Sequence, residues 1–124
     1  MPYVTISVTP GLTAETKRSL LQQSSDAVVE SIGAPVSSIR VILNEIPTGH
    51  FLSEGRFDEP GVIFVVDLIE GRTNELKEAL IGRLTQVGSQ VTGVPLNEVR
   101  VRLCDFPKSN MGMAGGKSAL AAGR

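Results

Sequence analysis

The sequence predicts a mixed α/β (α+β) protein in which two tandem β-α-β units form one four-stranded sheet with both helices on one face. Three observations lead to this prediction. The chain of 124 residues repeats itself at an offset of 60 positions. Each repeat contains two short stretches in which residues alternate between two faces, as in a strand. Between them lies a longer stretch whose apolar residues recur at helical spacing.

The repeat is clearest where each predicted helix ends. The segment GAPVSSIRVILNEIP (33–47) aligns without a gap with GVPLNEVRVRLCDFP (93–107). The matching positions include two glycines, two pairs of prolines and a pair of arginines: Gly33 and Gly93, Pro35 and Pro95, Arg40 and Arg100, Pro47 and Pro107. Such coincidences in one register indicate a duplicated unit. We expect a first unit over 1–56, a linker over 57–61 and a second unit with a C-terminal tail over 62–124, paired as one compact pseudo-twofold domain.

The first unit predicts a strand, a helix and a second strand. Val4, Ile6 and Val8 alternate with Tyr3, Thr5 and Ser7, which is typical of a strand over 2–8. Pro10-Gly11 ends this strand, and the helix begins near Thr13 and runs to Ile32. Gly33 followed by Pro35 is a typical helix ending, and a second strand follows over 38–45.

The second unit repeats this order, with strands over 62–68 and 98–105 and a helix from about Thr73 to Val91. A helix between two strands suits a parallel pair with a crossover connection. One unit would leave too much apolar surface exposed, so the two units are expected to pair. Because the face of the sheet away from the helices also carries apolar residues, we expect oligomers. The glycine-rich segment 49–61 is predicted to be a surface connection.

Composition excludes several function classes. The formal net charge is −1, which argues against a nucleic-acid or anionic-membrane binder. Cys104 is the sole cysteine and His50 the sole histidine, so we expect neither an internal disulfide nor a metal site. No apolar run reaches the ~20 residues of a membrane span, and no signal peptide is evident. These features predict a soluble, cytoplasmic protein.

Three further features carry a family resemblance. The chain has Pro2 directly after Met1, LIEGRTNELK (68–77) at the strand–helix junction of the second unit, and SIRVILNEIPTGHF (38–51) after the helix of the first. Together they resemble the tautomerase superfamily, specifically its 4-oxalocrotonate tautomerase branch, in a fused form in which one chain replaces a dimer of short subunits. The resemblance covers nearly the whole chain.

The resemblance implies roles for particular residues. Pro2 matches the general base of the family, an amino-terminal proline, whereas its counterpart in the second unit is Val62. Arg72 matches the arginine of the strand–helix junction, whose counterpart in the first unit is Leu12. The arginine of the second strand is present twice, as Arg40 and Arg100, and the pocket phenylalanine matches Phe51, with Met111 at the equivalent place in the second unit.

The resemblance therefore implies one working site per chain, with Pro2, Arg72 and Arg40 as catalytic residues and Arg100 and Phe51 in substrate binding. Either Arg40 or Arg100 would complete the site, from the same or an adjacent chain, and one of the two could instead serve in a salt bridge with Glu45 or Asp105. Arg102 shares a strand face with Arg100 and competes for its role. The hexamer of short subunits would become a homotrimer of fused chains.

These residue types suit cofactor-independent isomerisation of a small unsaturated 2-oxo or 2-hydroxy acid. An α-amino group titrates near ~7.7–8.0, and burial among arginines is expected to lower its pKa. Such an amine can act as a general base, while arginines bind the carboxylate and stabilise the enolate oxygen. The expected partner is a small carboxylate substrate, with no cofactor and no metal.

Alternative activities remain compatible with the residues. Hydration, dehalogenation or decarboxylation would need a further acidic residue, for which Glu45 and Asp105 qualify by position alone. A chain that keeps Met1 would have an amide at Pro2 and would be a non-catalytic anion-binding module. The tail contains GGKS (115–118), but Met111 stands where a phosphate-binding loop requires its first glycine, and a small-residue loop or hairpin closing over a neighbouring subunit is predicted instead.

Overall fold

A computed structural model describes residues 2–124, and Met1 lies outside the described residues. The described chain contains two long helices and six strands. The strands are β1 (Tyr3–Val8), β2 (Arg40–Glu45), β3 (Leu52–Ser53), β4 (Arg56–Phe57), β5 (Val62–Ile69) and β6 (Val99–Phe106). The helices are α1 (Ala14–Ile32) and α2 (Asn74–Thr92), and short 3₁₀ turns span Val36–Ser38, Leu96–Glu98 and Lys108–Asn110.

Four strands form one mixed sheet in the order β2-β1-β5-β6, and this confirms the predicted fold class. Within each unit the two strands are parallel, and the units meet through antiparallel β1 and β5. Tyr3 of β1 lies opposite Asp67 of β5 and Arg40 of β2. The start of β1 therefore meets the end of β5, so the two units are related by a pseudo-twofold axis.

One face of the sheet is covered by both helices and forms the core. Alternate residues of β5 are buried, namely Val62, Phe64, Val66 and Leu68, beside Val4, Ile6 and Val8 of β1. The opposite face presents the intervening residues, including half-buried Ile63 and Val65 and exposed Ile42. The period of two along the strands sorts apolar residues onto both faces, so the sheet keeps an apolar face without a helix cover.

The duplicated sequence produces duplicated local structure. Thr13 and Thr73 cap the two helices, each side-chain oxygen accepting a hydrogen bond from the backbone N–H three residues on. Gly33 and Gly93 end the helices with φ of 70° and 80°, the left-handed conformation that favours glycine at this position. These caps confirm the predicted helix ends to within about one residue.

The two segments outside the β-α-β units contain short hairpins. The segment 49–61 was predicted as a surface connection, but it contains the β3–β4 hairpin, in which Leu52 pairs with Phe57. The tail forms a hairpin on its own chain, with a bridge between Gly112 and Ser118. Met111 and Ala119 of the tail are buried against Ile69 and Phe106 at the ends of β5 and β6. Alternation and glycine content alone do not distinguish such short hairpins from open loops.

None of the helices within residues 2–124 is long and apolar enough to cross a membrane.

The same substitution at two glycines of α2 is expected to destabilise the protein at Gly88 and to have little effect at Gly82. A Cβ on Gly88 would lie 2.9 Å from Val99 Cγ1 and 3.0 Å from Phe64 Cε2, whereas a Cβ on Gly82 meets nothing within 4 Å. We expect Gly88→Val to lower the free energy of unfolding by about 1–3 kcal/mol through overpacking. Gly82→Val should change it by less than about 0.5 kcal/mol, because the site is an open helix surface. Chemical denaturation measures both, and equal effects would contradict the close packing at Gly88.

Candidate active site

Pro2 lies at one end of the central pair of strands and is buried, with less than 2% of its surface exposed. Continuing the β1–β5 register by one residue sets Pro2 across from Leu68. On its other side, the backbone N–H of Arg40 donates to the carbonyl of Pro2 at 3.2 Å. Pro2 therefore precedes β1 and accepts a hydrogen bond from β2 without having to donate one. Its missing backbone N–H does not disturb the sheet at this position.

Arg40 is anchored to its own loop. Its Nη1 donates to the carbonyl oxygens of Ser37 at 3.0 Å and Ile39 at 3.1 Å. The side chain is exposed and forms no ion pair with any residue of 2–124. Both of these contacts use Nη1, so the other N–H donors of the guanidinium remain available to bind a further acceptor.

The carboxylates that could have paired with Arg40 and Arg100 pair with lysines instead. Glu45 binds Lys17 at 2.9 Å, and Asp105 binds Lys77 in the equivalent place of the second unit. Both pairs lie on the helix-covered face, whereas Arg40 and Arg100 lie on the open face. The expectation that one of these arginines pairs with Glu45 or Asp105 is therefore wrong, and both carboxylates are held in duplicated structural ion pairs.

Arg72 lies at the same end of the sheet as Pro2. It follows β5 by three residues, is half-buried, and its Nη1 donates to the carbonyl oxygen of Ile69 at 3.2 Å. This contact curls the side chain back toward the last residue of β5, beside the start of β1. At the pseudo-equivalent junction of the first unit, Leu12 packs against the core instead.

Arg100 and Phe51 lie at the opposite end of the sheet. Arg100 sits across from Ile63, near the start of β5. The Phe51 ring lies against Gly61, where a Cβ would be 3.0 Å from Phe51 Cε2. Met111, the counterpart of Phe51, is buried at the Pro2 end of the sheet. Within one chain, Pro2, Arg40, Arg72 and Met111 are thus grouped, and Arg100 and Phe51 can approach a Pro2 only from another chain.

The two ends of the sheet differ in charge. At the Pro2 end, a cleft of about 310 Å³ is lined by Tyr3 and three cations, Arg40, Lys117 and Arg124, with no acidic side chain among its described lining residues. At the other end, a smaller cleft of about 120 Å³ is lined by three glutamates, Glu54, Glu59 and Glu98, with Arg56. Pro35 and Pro95 occupy equivalent places in the two clefts. Of these two clefts, the one at the Pro2 end is the better suited to an anion.

The sequence gives no sign that Lys117 and Arg124 of the tail line a cleft at the Pro2 end. The GGKS segment does not fit a phosphate-binding loop, and the hairpin predicted in its place gives Lys117 no role in the site. No signal in a single sequence places a tail lysine beside a strand end more than 70 residues away along the chain. The fold brings them together because the tail follows β6 at the end of the sheet where β1 begins.

The remaining candidates lie away from this end or lack partners for chemistry. His50 is exposed in the loop before β3, and Arg102 is exposed on β6 across from Val65. Cys104 is half-buried on the open face, not fully buried as a small hydrophobe would be. Among residues 2–124, no group of three or more His, Cys, Asp or Glu side chains is arranged to hold a metal ion.

The fold and these two ends define a class of protein: a duplicated β-α-β domain with one basic cleft beside a buried proline near its amino terminus. Within that class, the chain belongs to the tautomerase enzyme family, whose profile matches it twice, over residues 2–57 and 64–120. The double match corresponds to the two units of the repeat, and it confirms the resemblance seen in the sequence.

Individual relatives resemble one unit or the whole chain. One 2-hydroxymuconate tautomerase of Pseudomonas putida is 44% identical over 57 residues, which is 46% of this chain and 89% of that protein. Over the whole length, the solved structure of Pt0534 inactivated by 2-oxo-3-pentynoate is 63% identical with a TM-score of 0.97, covering 98% of this chain and 99% of that one. A fused 4-OT described as a symmetric trimer is 45% identical with a TM-score of 0.95, at the same coverage.

Proposed function

We propose that this tautomerase-family protein isomerises a small unsaturated 2-oxo or 2-hydroxy acid, with the nitrogen of Pro2 as the general base. The observation that carries the proposal is the grouping of buried Pro2 with Arg40 and Arg72 at the one end of the sheet whose cleft has no described acidic lining residue. An enzyme that acts on a carboxylate needs such an end, and the pseudo-equivalent end is acidic.

The base requires a free amine. If Met1 is removed, Pro2 carries a secondary amine whose ring holds the nitrogen in one direction. Burial disfavours the ammonium form of an amine, so a free amine at buried Pro2 would have a neutral fraction available to accept a proton.

The proposed reaction conserves all atoms and needs no cofactor. The Pro2 nitrogen takes a proton from the substrate's enol hydroxyl or from a carbon next to its carbonyl, and the electron pair left behind spreads along the conjugated system. The protonated amine then returns the proton at the far carbon of that system. The product is the isomeric conjugated ketone, and the amine is neutral again.

The arginines would bind and stabilise charge. Arg72 can hold a substrate carboxylate through two parallel N–H donors, and its anchor on Ile69 keeps the guanidinium at this end. Arg40, tied by one nitrogen to two carbonyls, has further donors for the oxygen that gains charge as the proton leaves. Neither role demands that the arginine itself exchange a proton.

The relatives support this substrate class. One is named for 2-hydroxymuconate, a conjugated dicarboxylic acid, and another is inactivated by 2-oxo-3-pentynoate, an unsaturated 2-oxo acid. Hydration or dehalogenation fits less well, because Glu45 and Asp105, the two acidic candidates for activating water, are each bound to a lysine on the helix-covered face. We therefore rank tautomerisation first.

The test is a spectrophotometric assay of 2-hydroxymuconate on protein whose intact mass shows that Met1 is absent. We expect loss of the dienol absorbance at a rate proportional to enzyme, and inactivation by 2-oxo-3-pentynoate with one inhibitor mass on the N-terminal peptide. Absence of turnover with a free Pro2 would overturn the proposal. A retained Met1 would favour the non-catalytic anion-binding module.

We further propose that the protein works as a homotrimer of fused chains in the cytoplasm. A fused 4-OT of 45% identity is described as a symmetric trimer. The uncovered sheet face carries Ile42, Ile63 and Val65, which a neighbour would bury. The assembly would also let Arg100 and Phe51 of one chain reach the Pro2 end of the next.

Charge placed on the uncovered sheet face is expected to break the trimer. Ile42 lies on that face with 58% of its surface exposed, and Leu96, on a 3₁₀ turn, is exposed to the same 58%. In analytical ultracentrifugation, we expect the unmodified protein to sediment as a trimer and Ile42→Glu to sediment as a monomer. Association would bury an unpaired carboxylate, which is unfavourable. The matched control Leu96→Glu should leave three chains, and a trimeric Ile42→Glu would show that association uses another surface.

A further inference from the structure

The cleft at the Pro2 end of the sheet is lined by cations from two distant parts of the chain, while Pro2 and Arg72 lie at the same end without lining it. Arg40 comes from the start of β2, whereas Lys117 and Arg124 come from the tail. None of the three forms an ion pair with a described residue. Three cationic side chains without an ion pair thus line a cleft of about 310 Å³, and this lining favours an anion as ligand.

The tail segment that carries Lys117 is held in a defined shape. The backbone carbonyl of Lys117 accepts a hydrogen bond from the N–H of Met113 at 2.6 Å. Gly115 and Gly116 form the turn between them, with φ of 89° and 86°. On either side of this turn, Met111 and Ala119 are buried, and Ala119 N donates to the Met111 carbonyl at 2.8 Å. The hairpin thus presents Lys117 from a fixed base and not from a free end.

We propose that Lys117 is a specificity-determining residue that binds the carboxylate of a dicarboxylate substrate lying farther from Pro2, in the cleft that Arg40 also lines. This inference rests on the proposed function and deepens it. Arg72 would hold one carboxylate from the β5 side, and the tail cleft would hold the other. A monocarboxylate would use only the first of these subsites.

The pseudo-twofold comparison supports a dedicated role for Lys117. Its counterpart in the first unit is Phe57, and the counterparts of Ala114 and Ser38 are Glu54 and Glu98. At the two compared cleft-lining positions, the Val62 end therefore carries Glu54 and Glu98 where the Pro2 end carries neutral residues, and Phe57, outside the Val62-end cleft, stands where Lys117 lines the other. The difference concerns the residues that line the clefts, while the helix caps and the lysine–carboxylate pairs are the same in both units.

The test compares a diacid with a matched monoacid. The full-length protein, Lys117→Ala and Lys117→Arg are assayed with 2-hydroxymuconate and with 2-hydroxy-2,4-pentadienoate, which lacks the second carboxylate. We expect Lys117→Ala to lower kcat/KM for the diacid about tenfold, mainly through KM, and at least fivefold more than for the monoacid. Lys117→Arg should restore most of the diacid activity, because it restores the charge.

The matched control is Lys108→Ala, a tail lysine that does not line the cleft. It should change kcat/KM by less than twofold for both acids. Equal losses for diacid and monoacid in Lys117→Ala, or no loss, would overturn the subsite and leave the proposed function intact.

A binding arm separates the two proposals if the full-length protein converts neither acid. Titration calorimetry with adipate, a saturated diacid of the same chain length as 2-hydroxymuconate, then decides on the subsite. A Kd for adipate about tenfold weaker in Lys117→Ala would support the subsite although the proposed function had failed. An unchanged Kd would overturn both.

Discussion

Replacement of Pro2 by alanine is expected to lower kcat about 100-fold or more, with a smaller change in KM. Alanine after Met1 removal still carries an amine, but a primary one on a flexible residue, without the ring that orients the nitrogen. General-base catalysis typically contributes about 10²–10⁴-fold, and it acts mainly on the chemical step. Steady-state kinetics with 2-hydroxymuconate measure the two parameters separately.

The duplication supplies a control for Pro2. Val62→Ala removes buried methyl groups at the pseudo-equivalent strand start, where no amine exists, and should keep kcat within about twofold in protein that circular dichroism shows to be folded. A form with an uncleaved N-terminal extension, in which the Pro2 nitrogen is an amide, should be as impaired as Pro2→Ala. Full activity of either altered N-terminus would exclude Pro2 as the base.

Replacement of Arg72 by leucine, the residue at its pseudo-equivalent position, is expected to lower kcat/KM about 10²–10³-fold. The variant removes a guanidinium that is held at the Pro2 end by the Ile69 carbonyl and that no described carboxylate neutralises. The loss of a charge-assisted pair with the substrate should raise KM, and the loss of charge stabilisation should lower kcat. The kcat/KM of Arg72→Lys should lie between those of the unmodified protein and Arg72→Leu. Lysine keeps the positive charge, but one ammonium cannot bind a carboxylate bidentately.

A swap between the units tests whether location or charge matters. Adding Leu12→Arg to Arg72→Leu restores the formal charge but places the arginine at the junction of the first unit, at the end of the sheet near Val62. We expect no recovery of kcat/KM. Recovery by the swap would mean that the active end is not the one that carries Pro2 and Arg72.

Much of the fold could be predicted because the repeat carries local signals twice. Thr13 and Thr73 cap the helices, and Gly33 and Gly93 end them, as cap geometry requires of these residue types. Apolar alternation located the four long strands to within one or two residues. The β3–β4 hairpin was not predicted, because two-residue strands have too few positions to show a period.

The candidate site was predictable in part. Pro2, Arg40 and Arg72 were found from motif positions, and the sheet register then grouped them at one end. Arg100 and Phe51 were predicted for the same site but lie at the other end of the chain's own sheet, so their participation requires a neighbouring chain. Lys117 was missed, since its place depends on how the tail returns along the sheet end.

By itself, the sequence determined the duplicated β-α-β units, their caps and the asymmetry between Pro2 and Val62, because these are properties of residue type and local spacing. Tertiary structure alone decided which charges share a cleft. The antiparallel contact of β1 with β5 brings the start of one unit to the end of the other, and the tail hairpin closes over that end. Long-range pairing between strands carries no periodic signal, so the basic cleft beside Pro2 and the acidic one opposite emerge only when the chain is folded.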